Sequence, residues 1–113
     1  MHTVRLAKLQ EAIHRAISEQ LTTAAADPRL QAVTVSRVQV SRDGANAKVF
    51  ILGRENQAGE EILAALRRAR GYLRHAMADR LGLRMAPALH FVLDRELHEM
   101  MAVHQALNQS ARE

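Results

Sequence analysis

The sequence has no cysteine, few aromatic residues and no long hydrophobic run. Cys is absent and aromatics make up 3% of the 113 residues. The absence of Cys excludes disulfides, thiolate zinc sites and cysteine nucleophiles, and it is compatible with a reducing cytoplasm. No apolar run approaches the roughly 18 residues of a transmembrane helix, and residues 1–10 lack the hydrophobic region of a secretory signal. We therefore expect a cytoplasmic protein without membrane contact.

Basic residues dominate the charge, and they are concentrated in one segment. Lys and Arg number 16 against 12 Asp and Glu. Between residues 67 and 84 six arginines stand against Asp79 alone, a local +5. These arginines are Arg67, Arg68, Arg70, Arg74, Arg80 and Arg84. Scattered arginines can be ordinary solvated surface, but guanidinium groups also suit phosphate, and such a local excess favours a nucleic-acid-binding surface.

Hydrophobic periodicity predicts one α+β domain, because 48% hydrophobic residues and 113 positions suffice for a single core. The pattern predicts helices over residues 3–24, 59–70, 72–81 and 95–108 and strands over residues 32–41, 46–52 and 88–93. Gly71 separates the two middle helices, Gly82 is a C′ glycine, and Asp94 is an N-cap. We expect three strands in one sheet with the helices on one face.

The first predicted strand changes phase halfway along. Val33 and Val35 alternate on one face, whereas Val38 and Val40 alternate on the other. Either a β-bulge or burial of both faces would explain this change.

Gly71 and the arginines around it are the strongest candidate site. A glycine inside a helical run can serve close packing against the sheet, or it can bring the backbone near RNA phosphates. Arg67, Arg70 and Arg74 recur at i, i+3 and i+7, so they line one helix face. Lys48 extends this patch only if its strand face points the same way. Tyr72 can stack on a base or lie in the core or at its rim.

Nothing in the sequence indicates catalysis. There is no P-loop or dinucleotide-binding fingerprint. The six histidines show no metal-ligand spacing, and the acids at positions 94, 96 and 99 are explained by the start of a helix. We expect no enzyme activity, cofactor or metal site.

A set of short motifs occurs in a specific order. It comprises Asp27-Pro28-Arg29-Leu30, Val33-Thr34-Val35, Val38, Val40-Ser41, Asp43, Ala47-Lys48-Val49-Phe50, Ala69-Arg70-Gly71-Tyr72-Leu73-Arg74, Leu83-Arg84, Pro87, Leu89, Phe91 and Asp94. Over residues 4–94 the chain resembles the ribosome-binding factor A family, whose type II KH-like fold replaces the GxxG loop with an Ala-x-Gly kink. That kink corresponds to Ala69, Arg70 and Gly71.

The resemblance implies a non-enzymatic, monomeric factor that binds the immature small (30S) ribosomal subunit and its 16S rRNA. Such factors assist late rRNA maturation, are linked to growth in the cold, and act beside other assembly factors. We expect residues 1–94 to form the KH-like RNA-binding domain and residues 95–113 a C-terminal helix or tail of the same domain.

Two rival interpretations stay open from the sequence. The first is a general KH-like RNA binder or RNA chaperone without ribosome preference. The second is an α+β protein-interaction module that uses the sheet or the last helix, where the Met100-Met101 pair provides an adaptable apolar face. If the last helix has no site within the chain, it can also mediate a dimer.

Overall fold

The computed structural model describes residues 3–23, 27–53 and 58–112. The described elements are α1 (Thr3–Thr23), α2 (Pro28–Gln31), β1 (Thr34–Val40), β2 (Asn46–Leu52), α3 (Gly59–Leu81), β3 (Ala88–Leu93) and α4 (Arg95–Arg112). The strands form one sheet in the order β1-β2-β3, antiparallel between β1 and β2 and parallel between β2 and β3. The predicted α+β class with a three-stranded sheet is confirmed.

The core lies between one face of the sheet and the helices α1 and α3. On α1, Ile13, Ile17 and Leu21 recur at helical spacing and are buried. On α3 the buried stripe includes Leu66, Leu73 and Met77, while all three strands bury alternate residues. Among the described residues, α1 and α3 therefore cover only one face of the sheet. None of the described helices combines the length and hydropathy needed to span a membrane.

A β-bulge in β1 explains the change of phase. The pairing of β1 with β2 shifts between Val35 and Arg37, so Ser36 is the extra residue. Val35 before the bulge and Val38 after it are both buried. One inserted residue thus returns the second half of β1 to the helix-covered face. Of the two expected explanations, the bulge is confirmed.

The predicted break at Gly71 is wrong. Residues 59–70 and 72–81 were expected to form two helices, but α3 is a single helix from Gly59 to Leu81. A glycine inside a helix costs about 1 kcal/mol relative to alanine. Burial of a leucine or methionine side chain contributes about 1.5–3 kcal/mol, and Leu66, Leu73 and Met77 on either side of Gly71 are all fully buried. Packing therefore carries the helix through the glycine.

Asp94 joins the bulge to the start of α4. It is buried, and its carboxylate accepts the N–H of Leu97 at 3.1 Å, which confirms the predicted N-cap. The same carboxylate accepts the hydroxyl of Ser36 at 2.6 Å, and the guanidinium of Arg37 lies 3.7 Å away. The hydrogen bonds from Ser36 and then from Leu97 lower the pKa of Asp94 below its ordinary value. The strand and the helix start are thus held by one buried charge.

Glycine-to-alanine substitutions should act in opposite directions at Gly71 within α3 and at Gly82 just after it. A Cβ added at Gly71 would meet no atom within 4 Å, so Gly71→Ala should raise the free energy of unfolding by up to about 1 kcal/mol. Gly82 has φ 65°, so Gly82→Ala should lower that free energy by about 1 kcal/mol or more. Urea unfolding of both variants tests this, and a loss of stability in Gly71→Ala would contradict it.

The Ser36–Asp94 hydrogen bond should make a pH-dependent contribution to stability. Ser36→Ala should lower the free energy of unfolding at pH 7 by about 1.5 kcal/mol. Because folding lowers the pKa of Asp94, this contribution is present above the ordinary carboxyl pKa of about 4 and is lost as the pH falls through the lowered value. Urea unfolding across this pH range measures the difference from the wild type. Ser18→Ala makes the same change in α1 as a control.

A difference between the wild type and Ser36→Ala that stays constant to the lowest pH would contradict the role of the Asp94 charge. If Ser18→Ala lowered the free energy of unfolding as much as Ser36→Ala does, the removal of any serine hydroxyl would have this effect.

Candidate nucleic-acid interface

The exposed face of α3 forms a ridge that carries most of the predicted site. Arg67, Arg70, Gly71 and Arg74 lie at i, i+3, i+4 and i+7, and none of the four is buried. Ala69, the first residue of the expected kink, packs instead against the core. Since a Cβ at Gly71 would meet no atom, close packing against the sheet does not explain this glycine. Gly71 leaves a bare stretch of helix backbone among arginines. We call Arg67, Arg70, Gly71 and Arg74 the α3 ridge.

The six predicted arginines differ in their partners. In the described part of the chain, Arg67, Arg70 and Arg84 make no hydrogen bond or ion pair. Arg74 donates from Nε and Nη2 to the carbonyl oxygen of Ala86, at 3.2 and 2.6 Å. Arg80, in the last turn of α3, forms an ion pair with Glu19 of α1.

Arg68 lies beside the short helix α2. Asp27 caps this helix by accepting the N–H of Arg29 at 3.1 Å, and Pro28 is its first residue. The hydrogen bonds from Arg29 lower the pKa of Asp27 most, and the charge of Arg68 lowers it further. Arg68 is therefore close enough to Asp27 for part of its charge to be offset.

The loop after α3 is held in place by the helix itself. Gly82 and Leu83 donate their N–H groups to the carbonyl oxygens of Asp79 and Ala78, which closes the helix as a Schellman motif and confirms the C′ glycine. Arg74 then ties Ala86 back to the helix. Residues 82–87 therefore continue the basic surface from the ridge to Arg84.

Two residues left undecided by the sequence are placed by the fold. The side chain of Tyr72 is on the outside of α3, where 62% of the residue is exposed, so it is not a core residue. Lys48 is exposed on the sheet face that points away from α3, so it does not extend the ridge.

The residues that share this sheet face with Lys48 were not predicted from the sequence. Arg37 stacks on the ring of Phe50, with its guanidinium carbon 3.9 Å from the ring centroid, and His90 is exposed beside Lys48. The alternation of β2 contains the signal for this face, because Ala47, Val49 and Ile51 are buried and the residues between them are not. Because the sequence left open which residues of β1 face the helices, it did not show which of them share the outer face with Lys48.

The geometry of the ridge suits the binding of an anionic partner. Across residues 3–23, 27–53 and 58–112, no three His, Asp or Glu side chains converge as metal ligands would. What the site offers is a row of exposed guanidinium groups on a rigid helix, which suits phosphate. An α+β domain whose helices cover one face of the sheet and carry such a ridge belongs to the class of KH-like nucleic-acid-binding domains. This domain has no GxxG loop, so it is a variant within that class.

The chain belongs to the ribosome-binding factor A family, since the model of that family matches residues 5–107. The ribosome-binding factor A of Alkalilimnicola ehrlichii is 45% identical over 92 residues, which cover 80% of this chain and 71% of the relative. That of Azoarcus sp. is 34% identical over 110 residues, covering 96% of this chain and 87% of the relative.

Solved structures of the same family share the fold. The crystal structure of ribosome-binding factor A from Thermus thermophilus aligns with a TM-score of 0.71 and 36% identity, covering 80% of this chain and 97% of the other. A Thermus thermophilus RbfA homology model fitted into the cryo-EM map of a 30S–RbfA complex aligns with a TM-score of 0.66 and 35% identity. The alignment covers 78% of this chain and 93% of the other. The predicted KH-like fold and family are confirmed.

Two arginines of the ridge should differ in their effect on stability. Arg74→Met removes both donors to Ala86, so it should lower the free energy of unfolding by about 1 kcal/mol. Arg70→Met, which loses no intramolecular partner, should change it by less than about 0.5 kcal/mol. Urea unfolding in the absence of RNA compares the two. Equal losses in both variants would contradict the distinction between engaged and unengaged arginines.

Proposed function

We propose that this chain is a non-enzymatic ribosome biogenesis factor that binds the immature small ribosomal subunit and its 16S rRNA and assists late rRNA maturation. One observation carries the proposal: a member of the ribosome-binding factor A family exposes unengaged arginines around bare backbone at Gly71. The Thermus thermophilus relative placed in a 30S–RbfA map supports the partner. The family description names a binding factor and no enzyme.

In the proposed mechanism the α3 ridge docks on rRNA phosphates. Arg67 and Arg70 supply guanidinium groups, and the missing side chain at Gly71 leaves room for a phosphate between them. Arg74 uses two N–H groups on Ala86, and the other N–H groups of this exposed side chain can bind a phosphate. Arg68 and Arg84 extend the surface at either side, and Arg80 lies at its edge because Glu19 pairs with it.

Such contacts set affinity and position but read no base sequence directly. The exposed ring of Tyr72 adds one stacking surface one helical turn beyond Arg68. The factor holds a late assembly intermediate until a rearrangement or another assembly factor releases it. We propose that it acts in the cytoplasm as a monomer, supports growth in the cold, and works as one domain of residues 1–94 with residues 95–113 as its C-terminal helix or tail.

Cosedimentation with purified small subunits over a salt series tests the proposal. The double variant Arg67→Glu/Arg70→Glu should lose at least about tenfold in affinity, and each lost phosphate contact should reduce the salt slope by about one unit. Arg5→Glu/Lys8→Glu changes the same charge on exposed positions of α1 and should bind as the wild type does. Gly71→Ala should bind more weakly although it folds more stably, because its methyl group keeps the phosphate away.

Immature subunits, mature subunits and an unrelated structured RNA are compared in the same series. If the wild type binds immature subunits most tightly and the ridge variant loses this preference, the assembly-factor function is supported. Equal binding to every RNA would favour the general RNA binder, and loss of binding in the α1 control equal to that in the ridge variant would contradict the proposed surface.

A further inference from the structure

The sheet exposes a second polar surface on the side opposite α1 and α3. The cross-strand register places Gln39, Lys48 and His90 side by side across β1, β2 and β3. The neighbouring row consists of Arg37, Phe50 and Val92. We call these six residues the open sheet face. Adjacent strands lie about 4.8 Å apart, so each row is a compact line of side chains.

The open sheet face is positively charged. In the described part of the chain Lys48 pairs with no carboxylate, and its Nζ lies 5.9 Å from the centre of the Phe50 ring. Arg37 covers the same ring and lies 3.7 Å from Asp94. Asp94 lies next to the face, where it is buried and bound to Ser36 and Leu97, and the exposed Asp43 in the β1–β2 turn accepts the hydroxyl of Ser41. An anionic partner therefore meets Arg37 and Lys48 on the face itself, with an exposed acid only at its edge.

Neutral hydrogen-bonding groups lie next to these cations. A shallow depression of about 290 Å³ is lined by Gln39, Ser41, Asn46, Lys48 and His90. The amide oxygen of Asn46 and Nε2 of His90 are 2.9 Å apart and share a hydrogen bond. An ammonium group beside amides and a hydroxyl is a set that contacts phosphate together with ribose or base edges.

The composition of the face favours RNA over an apolar helix such as α4. The exposed stripe of α4, Met100, Val103 and Leu107, has no described partner, whereas the side chain of Met101 lies outside the described part. If this stripe from a second copy covered the face, it would bury Lys48 and the amides without hydrogen-bond partners, which is costly.

We propose that the open sheet face is a second RNA-binding surface, so that one copy of the chain contacts two RNA segments on opposite sides of the domain. The proposal rests on the proposed function for the class of partner, but it concerns residues that the α3 ridge does not include. Lys48 and His90 contact phosphates of the second segment, and Gln39 and Asn46 contact its sugar or base edges.

Lysine footprinting tests this surface directly, because Lys8 and Lys48 are the chain's two lysines. Both are exposed, Lys8 on α1 and Lys48 on the open sheet face. The chain is acetylated with and without purified small subunits, and separately with an RNA hairpin, and modification is read by mass spectrometry. RNA should protect Lys48 several-fold and leave Lys8 unchanged. Lys48→Gln should reduce the salt slope of binding by about one unit, whereas Lys8→Gln should not.

The outcomes separate this inference from the proposed function. If subunits bind through the α3 ridge while Lys48 reacts as readily as Lys8, the sheet proposal fails and the function proposal stands. Suppose that RNA protects Lys48 in the Arg67→Glu/Arg70→Glu variant, but the wild type binds small subunits no more tightly than unrelated RNA. The sheet proposal then stands and the function proposal fails. Protection of Lys48 without RNA that grows with protein concentration would assign the face to a second copy and overturn the inference.

Discussion

The β-bulge at Ser36 is the constraint on which the rest of the structure depends. A regular strand would turn the second half of β1 away from the helices, because successive side chains alternate between faces. One extra residue keeps Val35 and Val38 in the same core and sends Arg37 to the opposite face above Phe50. Its own hydroxyl binds Asp94, the residue that begins α4. The burial of both halves of β1, the position of Arg37 on the outer face and the start of α4 thus all depend on one inserted residue.

Burial of the sheet on one face has a second consequence. The helices that cover the core present their outer side to solvent, and the uncovered sheet face does the same on the other side of the domain. Since the core takes most of the aliphatic residues, both outer surfaces carry polar residues and arginine or lysine, with Phe50 and Val92 among them on the sheet face. On α3 the charge stands on a convex helix, while on the sheet it stands on a flatter surface with amide groups. The two surfaces therefore suit different parts of a folded polyanion.

The sequence predicted the features whose causes are local. The predicted bounds of β2 and β3 agree with the structure, and so do the caps at Gly82 and Asp94, because alternation and cap chemistry act over a few residues. The break at Gly71 failed because burial on both sides of it outweighs the propensity of one residue. The hydrogen bonds of Arg74 to Ala86 and the ion pair of Arg80 with Glu19 could not be predicted from local sequence patterns, because only the fold brings these partners together.

Aromatic scarcity limits how this domain can recognise RNA. Of its three aromatic residues, Phe91 is buried and Phe50 lies under Arg37, which leaves Tyr72 as the exposed ring. In the proposed mode of binding, base stacking therefore contributes little, and phosphate contacts carry most of the affinity. Such contacts are alike for any RNA, so one surface alone would discriminate poorly. Two surfaces fixed on opposite sides of a rigid domain gain avidity when two segments lie at the matching separation. In that arrangement the preference for a folded subunit comes from the spacing of its RNA segments, which an unrelated RNA does not reproduce.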